Sequence, residues 1–570
     1  MAETLISPGV LARENDSSQV SKLPVSVGAA IIGPTVKGPV EIPTVVTSYN
    51  QFVNIFGDVL TSGSANDSNA YSYFTSIAAY NYFNNGGKSL LVARVVTGSY
   101  SAATSSITGT YLSPMSSSFT LETLGKGIIY NSSSSLDSSG ALASGSVDNI
   151  RWQIVNPNTS SGTFNLLIRR GNDNTNNPVI LETWTNLSLD PKSTNYIARV
   201  IGDSVSNYNS TNIQIETTGS YANASNYIRV KSVNYTTPDY FDNNGVAKNQ
   251  YTSSIPLAGS GSFGTATGDV KGGALFYNTI TTTNAQGLDL GCYTNMINLL
   301  SNKDDYQFNL LLTPGLIDEL HTAAVTSIIT NTQNRGDNIY LVDLVDANDT
   351  VTNVVSKAAS RNTSYAAAYW PWCQVIDPGT GNNVWVPAST VVAGVYAYND
   401  SVGETWLAPA GINRGGLNIV RPEQKLSQAN RDTLYTGKVN PIVSFPGVGP
   451  VVYGQKTLQT QASALDRVNV RRLLIELKGW ISQVANNLVF EQNTIATRNQ
   501  FLAQVNPYLT SVQQRQGLYA FKVVMDDTNN TGDVIDRNQL VGQIAIKPTI
   551  TAEYIIIDFI IEPTGSTFTI

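Results

Sequence analysis

The chain has 570 residues, of which 41% are hydrophobic and 13% are charged, about half the charged fraction of an ordinary soluble protein. The length predicts three or four domains. The net charge of −7 argues against nucleic acid as the main partner, because phosphate binding needs a basic surface. A low charge with much Ser, Thr, Asn and Tyr is typical of proteins with large contact surfaces, and also of secreted β-rich proteins.

The cysteines and the first residues exclude further classes. Cys292 and Cys373 are too few for a disulfide framework and lack the spacing of a metal site. The start, MAETLISPGVL, has neither the basic nor the apolar region of a signal peptide. No stretch approaches the ~20 apolar residues of a membrane span. We therefore expect a protein that is made in a cytoplasm and is not inserted in a membrane.

The first hundred residues predict an arm followed by a compact α/β unit. Residues 1–24 read as an extended arm, in which Pro8 and Gly9 forbid a helix. The unit that follows, 25–100, has two predicted buried strands and two predicted helices, of which the first stops at Gly57 and the second is amphipathic and ends at NNGG. These elements are VGAAIIG (27–33), QFVNIFG (51–57), YSYFTSIAAYNYF (71–83) and LLVARVV (90–96).

Residues 101–270 have a different character. They are rich in Ser and Asn, punctuated by glycine, and lack a helical period. Short runs of β-forming residues recur between turn signals, which predicts an inserted β-rich domain. The runs are IRWQIV (150–155), FNLLIRR (164–170) and YIRVKSV (227–233).

The α/β pattern returns over 271–420, so we predict one core domain built from 25–100 and 271–420. Its predicted strands and helices are FNLLLTPG (308–315), TAAVTSIITNTQN (322–334), IYLVDLVD (339–346), VTNVVSKAAS (351–360) and a single strand YAAAYWPWCQVID (365–377). A C-terminal domain is predicted over 421–550. Its main helix begins near Asp466 and has an apolar stripe at Val470, Leu473, Leu474, Leu477, Ile481, Val484 and Leu488.

Signals for enzyme chemistry are weak throughout. The single histidine, His321, is expected to be structural, and no GxSxG elbow occurs. NNGGKS (84–89) runs from a helix into a strand, the reverse of a phosphate loop. GSGSFG (259–264) is not followed by a helix, and DDTNNTG (526–532) has Asn538 in place of the glutamate that closes a calcium loop. A pair of glycosidase carboxylates stays open, since such pairs are spatial.

The C-terminal segment 551–570 poses a different question. EYIIIDFII (553–561) is β-branched and apolar on both faces of a strand, yet little chain follows that could cover it. An exposed apolar strand of this kind aggregates unless a partner covers it.

Several blocks together resemble the tail sheath proteins of contractile-tailed bacteriophages. They are SPGV (7–10), the stretch 25–58, YFNNGGKSLLVARV (82–95), NLSLDP (186–191), the stretch 364–411 with its "PW", "vP.S..vAG" and "APAG" elements, VNVRRLLIEL (468–477) and VFEQN (489–493). The insertion is the part without a clear counterpart.

The resemblance implies an α/β (α+β) multidomain fold: a central mixed-sheet core, the inserted domain, and a C-terminal helix-plus-sheet domain completed by strands from neighbouring subunits. It implies a structural protein, without enzymatic activity or cofactor, that forms stacked sixfold rings around a tail tube in the virion and contracts. Its implied partners are other copies, the tube protein, and the baseplate and terminator proteins. The implied inter-subunit strand residues are Val10, Leu11, Tyr554, Ile555, Ile556, Ile557, Phe559, Ile560 and Ile561.

Three basic residues are candidates for a tube-facing surface. On the helix that begins near Asp466, the side chains of Arg467, Arg471 and Lys478 fall within about 40° of one another. The resemblance implies that this helix lies near the tube, whose outer surface is acidic. Ion pairs within the subunit, or a solvated helix face, are the alternative.

Two other functions stay open: the sheath of a headless contractile particle, and a β-rich surface protein acting on glycans.

Overall fold

The computed structural model describes residues 25–60, 70–108, 117–270 and 280–555. The strands are β1 Val25–Gly33, β2 Thr44–Val46, β3 Val59–Leu60, β4 Tyr71–Ser72, β5 Leu90–Arg94, β6 Ala102–Thr108, β7 Ser117–Lys126, β8 Ile150–Asn158, β9 Thr163–Arg170, β10 Ile180–Ser188, β11 Val205–Asn209, β12 Gln214–Thr218, β13 Ile228–Val233, β14 Gly259–Ser262, β15 Asn284–Ala285, β16 Leu288–Asp289, β17 Tyr306–Ile317, β18 Ile339–Asp343, β19 Ala366–Trp370, β20 Cys373–Ile376, β21 Asn383–Val386, β22 Arg421–Pro422, β23 Val439–Phe445, β24 Gly449–Val452, β25 Leu518–Val524 and β26 Gln543–Pro548. The helices are α1 Tyr49–Phe56, α2 Phe74–Asn84, α3 Ile197–Ile201, α4 Asn249–Thr252, α5 Cys292–Leu299, α6 Thr322–Arg335, α7 Val351–Ala359, α8 Ala388–Val402, α9 Gln428–Thr436, α10 Val468–Asn486, α11 Ile495–Gln514 and α12 Gly532–Asp536.

An eight-stranded mixed sheet forms the centre, in the order β2-β5-β1-β17-β18-β19-β23-β24. The six strands from β5 to β23 are parallel, and the strands at the two edges run antiparallel. The parallel strands are nearly continuous apolar runs, as expected for a sheet that is covered on both faces. The predicted strands at 27–33, 90–96, 308–315 and 339–346 are all present in this sheet, and the mixed α/β multidomain fold is confirmed.

Helices cover both faces of the central sheet and give a three-layer core. Side chains alternate along β1, so that Ala29 and Ile31 join the hydrophobic cluster that includes α2 and α8. Ala30 and Ile32 join the cluster on the opposite face, which includes α5, α6 and α7. Among the described residues, no helix is long and apolar enough to cross a membrane.

Helix α2 is not amphipathic, contrary to the sequence-based prediction. Its residues are buried on nearly all sides, including the polar Thr75 and Ser76. The reason is that α8 packs directly on it: a Cβ added at Gly394 of α8 would lie 2.8 Å from the backbone oxygen of Asn81. A helix between a sheet and a second helix has no solvent face, and the periodicity of its own sequence does not reveal this.

The single strand predicted over 365–377 is two strands in different sheets. Strand β19 lies in the central sheet, whereas β20 pairs with β21 and β22 in a separate three-stranded sheet. Pro371 stands between them, and its missing N–H ends the first hydrogen-bond ladder. The apolar run is continuous in sequence, but its two halves serve two sheets.

Residues 101–270 contain a β-rich unit with a hydrophobic cluster of its own. Two sheets, β13-β7-β6 and β10-β9-β8-β14, pack around Phe119, Phe164, Ile168 and neighbouring apolar side chains. A polar junction joins this unit to the central sheet. There the ammonium of Lys37 lies 3.3 Å from the carboxylate of Asp148, and both side chains are buried.

The last helices and strands enclose a further small core. Helices α10 and α11 pack together, with the rings of Trp480 and Tyr508 stacked at 3.9 Å. The antiparallel pair β25–β26 lies against them and contributes Leu518 to the same cluster. In the apolar stripe predicted for α10, all residues are buried except Leu474 and Ile481, which are half-buried.

Candidate assembly surfaces

The residues that follow β26 are held to the subunit by side-chain contacts. The guanidinium of Arg467 donates to the carboxylate of Glu553 at 2.7 and 3.0 Å. The side-chain amide of Gln455 also donates to Glu553, at 3.1 Å, and to the hydroxyl of Thr551 at 2.5 Å. Residues 551–555 form no strand. The segment is therefore docked through polar groups and not through a ladder of backbone hydrogen bonds.

The negative charge of Glu553 is stabilised by the groups that surround it. Burial raises the pKa of Glu553, but hydrogen bonds from Arg467, Tyr435 and Gln455 outweigh burial and leave the pKa below its ordinary value. The ammonium of Lys456 lies 4.2 Å from the centre of the Tyr435 ring, which adds a second cation to the site. The carboxylate of Glu553 is thus ionised and held by its partners at neutral pH.

The chain turns outward directly after this site. Tyr554 is 76% exposed and Ile555 is 80% exposed, although both are large apolar residues. Neither lies in a strand, so their predicted pairing with a neighbouring subunit stays a prediction. The other predicted inter-subunit strand residues lie outside the described residues; they are Val10, Leu11, Ile556, Ile557, Phe559, Ile560 and Ile561.

Strands β25 and β26 present open edges. In the part of the chain that the structure describes, no third strand pairs with either of them. Phe521, Val523, Ile544 and Ile546 are half-buried against the helical core, whereas the opposite face is exposed. A two-stranded sheet is marginal by itself, and its free N–H and C=O groups form a template for an added strand.

The predicted basic face on α10 is not a single exposed surface. Arg467 is engaged by Glu553 and also by Asp466, at 2.8 Å. Arg471 is buried, with its guanidinium 4.1 Å from the centre of the Tyr365 ring. Lys478 alone is exposed. Arg467 precedes α10 in an extended conformation, and the first turns of α10 pack against the subunit, which sequence spacing does not show.

Arg472, the next residue of α10 after Arg471, is equally buried. It pairs with Asp400 at 2.5 Å, and its guanidinium lies 5.0 Å from the centre of the Tyr396 ring. Arg472 is therefore a structural residue that joins α10 to α8.

The positions that the sequence analysis weighed for enzyme chemistry can be located in the described chain. Both ring nitrogens of His321 bond to backbone groups, at Ile317 N (3.0 Å) and Thr281 O (2.8 Å), and burial lowers its pKa. Lys88 lies exposed between α2 and β5, in the reversed order predicted. Gly259 and Gly261 belong to strand β14. No group of three or more potential metal ligands occurs among the described residues.

Comparison with known families identifies the second half of the chain. The phage tail sheath protein central domain matches residues 292–458, and the phage tail sheath C-terminal domain matches residues 460–562. Residues 292–562 are therefore similar to two consecutive domains of phage tail sheath proteins. The matches include α5 to β24 of the core, helices α10 and α11, and the docking site of Glu553.

Individual relatives agree with this assignment. The chain is 43% identical over 208 residues to the tail sheath protein of Vibrio phage KVP40, an alignment that covers 36% of this chain and 31% of that protein. It is 41% identical over 187 residues to the tail sheath protein of Enterobacteria phage T4, covering 33% of this chain and 28% of that one. The alignments thus span about a third of the length of the curated relatives. A crystal structure of a sheath tail protein from Listeria innocua shares the fold, with a TM-score of 0.53 and 10% identity over 92% of this chain and 96% of that one.

Proposed function

We propose that this chain is the structural subunit of a contractile tail sheath. It polymerises as stacked sixfold rings around a tail tube and contracts to drive the tube through a bacterial envelope. The observation that supports this most directly is the match of two consecutive sheath domains over 292–562, within which the open strand pair β25–β26 and the docked C-terminal segment lie. Because the curated relatives named above come from phages, a phage tail is favoured over a headless particle.

The arms provide the physical basis of self-assembly. The open edges of β25 and β26 accept a strand, and the residues after Glu553 supply an apolar, β-branched one. Donation from one copy to the next is a head-to-tail contact, which generates an open helical lattice. The N-terminal arm, 1–24, is the second donor in this proposal.

Each part of the chain has its own proposed role in the sheath. The core of 25–100 and 271–420 forms the body of the sheath, and 101–270 forms an outer domain. The C-terminal domain, 421–550, faces the tube, and 551–570 is the second arm. Baseplate and terminator proteins bind the two ends of the lattice, and assembly takes place in the host cytoplasm. The energy of contraction lies in the difference between two packings of the same subunit, so no cofactor and no catalytic step are required.

The tube contact stays a prediction for Arg467, Arg471 and Lys478. Changing all three to Glu does not test it, because the change removes contacts within the subunit at Arg467 and Arg471. The contact is better tested at the exposed Lys478 or by binding the whole sheath to tubes.

Electron microscopy of the purified full-length chain tests the proposed function. We expect long hollow tubes or stacked rings, with sixfold symmetry in end-on views. A compact monomer at high protein concentration, measured by light scattering, would overturn the proposal.

A further inference from the structure

A polar pocket of about 550 Å³ lies where the loop before β19 meets the loop before α10. Its walls include the side chains of Gln333, Asn362, Ser364, Tyr365, Gln459 and Ser463. These are amides and hydroxyls, and no carboxylate is among the lining residues. The pocket can therefore donate hydrogen bonds to a ligand and presents no negative charge to it.

Arg471 lies directly behind the pocket wall, in contact with Ser364 and Tyr365. Its guanidinium stacks on the Tyr365 ring at 4.1 Å and donates to the hydroxyl of Ser364 at 2.5 Å. The residue is only 5% exposed, and its Nε–H has no acceptor in the described chain. Burial lowers the pKa of Arg471, and only Tyr365 opposes that effect.

Other buried arginines have carboxylate or carbonyl partners that compensate their charge, whereas Arg471 has none in the described chain. Arg472 has the carboxylate of Asp400, and Arg361 has that of Asp318. Arg94 has no carboxylate but donates to two backbone carbonyl groups, at 2.7 and 3.0 Å. Among the described residues, Arg471 has neither a carboxylate nor a carbonyl partner. A buried guanidinium in this state is costly and is stabilised by an anion that reaches it.

Lys478 brings a second positive charge to the same place. A Cβ built on Gly336 would lie 3.5 Å from the Tyr365 hydroxyl and 3.6 Å from the Lys478 ammonium, so both groups lie next to Gly336. Lys478 is exposed, and the described chain offers it no ion-pair partner. The neutral hydrogen-bond donors of the pocket are thus backed by the buried guanidinium of Arg471 and flanked by the exposed ammonium of Lys478. This positive surrounding favours a carboxylate.

We propose that this pocket joins two copies of the chain, and that it receives the carboxylates of Asp533 and Asp536 on helix α12 of a neighbouring copy. The inference rests on the proposed self-assembly and adds a contact that does not involve the arms. Asp533 and Asp536 are exposed and, within the described ranges, form no ion pair. The stretch that carries them, DDTNNTGDVIDR (526–537), has four aspartates and one arginine.

The positions of the two partners favour a second copy over a contact within one subunit. Arg471 lies in the first turns of α10, whereas α12 belongs to the loop that meets the chain beyond the end of α10, where Asn493 donates to the Asn530 side chain. From Arg471 to the last residue of α10 the helix rises about 22 Å. Surfaces that lie this far apart do not meet within one subunit, and a contact between them in two copies is a head-to-tail contact of the kind that propagates a helical lattice.

Charge reversal across the contact tests the proposal in the full-length chain. We expect Lys478→Asp to raise the protein concentration needed for polymerisation by about tenfold, since interfacial charge pairs have couplings of this order. Adding Asp533→Lys and Asp536→Lys in the same chain should restore polymerisation. Arg471→Met, which keeps an apolar stem against Tyr365, should weaken polymerisation as well. Lys303→Asp, at another exposed lysine, is the control and should have no effect.

The outcomes separate the alternatives. Thermal unfolding of each variant under dissociating conditions checks the fold, and if Arg471→Met unfolds, the exposed Lys478 carries the test. Polymerisation of Lys478→Asp at the wild-type concentration overturns the proposal, as does a lack of rescue by the two aspartate reversals. If Lys478→Asp polymerises normally in the absence of tubes but no longer binds to tubes, the pocket contacts the tube protein. That result also overturns the proposed contact between copies. Failure of the wild-type chain to polymerise is a different result, which overturns the proposed function itself.

Discussion

The guanidinium of Arg467 holds the carboxylate of Glu553 through two hydrogen bonds, from Nε at 2.7 Å and from Nη2 at 3.0 Å. Arg467 is the residue before α10, and Glu553 immediately precedes the exposed Tyr554 and Ile555. The pair therefore fixes the point at which the C-terminal residues leave the subunit. It also fixes their direction, because a bidentate pair is sensitive to the orientation of both partners.

Glu553→Gln should release the C-terminal segment while the subunit stays folded. Charged hydrogen bonds of this type contribute about 1.5–3 kcal/mol, and here they act locally. We expect faster proteolysis between 549 and 555 and weaker polymerisation, with an unchanged circular dichroism spectrum. Because the pKa of Glu553 is depressed, the attachment is fully present above the unfolded carboxyl pKa of about 4.3 and is lost as the pH falls through the lower folded value.

Asp466→Asn is the matched control for this prediction. Asp466 also contacts Arg467, at 2.8 Å, but has no ion pair or hydrogen bond with residues 549–555 of the described chain. The control should leave proteolysis near 549–555 at the wild-type rate. Equal protection of the Glu553→Gln and wild-type segments would contradict the anchoring role.

The fold was largely predictable because its signals are local. The strand predicted at 27–33 is present as β1, and the helix predicted to stop at Gly57 ends there, where the Gly57 N–H bonds to Val53 O. The errors arose where tertiary context decides. Sequence does not show that α8 covers the outer face of α2, or that the run 365–377 divides between two sheets.

The candidate surfaces were less predictable than the fold. Helical geometry groups Arg467, Arg471 and Lys478 by their spacing, but the partners of Arg467 and Arg471 are distant in the chain. Tyr365 stacks on Arg471, and Glu553 pairs with Arg467. The glutamate in EYIIIDFII was a visible signal, since a charge at the start of an apolar run suggests an anchor; its partner was not visible.

The buried carboxyl group of Asp343 should lower the free energy of unfolding as the pH rises. Burial raises its pKa to about 7, although the Ser389 hydroxyl and N–H donate to it at 2.5 and 3.0 Å. The folded state therefore keeps this proton between about pH 4 and pH 7 while the unfolded state loses it, so stability falls with pH in that window. Relative to wild type, Asp343→Asn should gain stability of about 3 kcal/mol from pH 4.5 to pH 8. Thermal unfolding at both values measures this, and a constant difference would contradict it.

Phe490 should be a stabilising target in the isolated subunit. It is fully exposed and adopts φ 72°, a region that bulky side chains avoid. Phe490→Gly should raise the unfolding free energy by about 1 kcal/mol because glycine relieves the backbone strain, whereas Phe490→Ala keeps a Cβ and should not. Thermal unfolding of the dissociated subunits compares the two. Equal stabilisation by both variants would show that side-chain exposure, and not the backbone, is the cause.

Polymerisation and contraction should need no nucleotide. Lys88 lies in a loop that runs from helix α2 into strand β5, so the N-terminus of a helix does not point at a bound phosphate there. Lys88→Ala should polymerise as wild type does, in the presence or absence of ATP. Phosphate release that is catalysed by the pure protein and lost on this change would contradict the prediction.

Removing either arm should abolish the lattice and spare the fold. A chain cut after Pro548 loses the polar contacts of Thr549, Thr551 and Glu553 but no described strand, because β26 ends at Pro548. Deletion of residues 1–22 leaves β1 intact, since that strand begins at Val25. We expect both truncated chains to keep the wild-type circular dichroism spectrum and to sediment as monomers at concentrations where the full chain forms polymers. The full chain with Lys303→Asp, an exposed change away from both arms, is the control for polymerisation. Loss of secondary structure on the C-terminal cut would mean that EYIIIDFII is a core strand of its own subunit, and the proposal of strand donation would then be wrong.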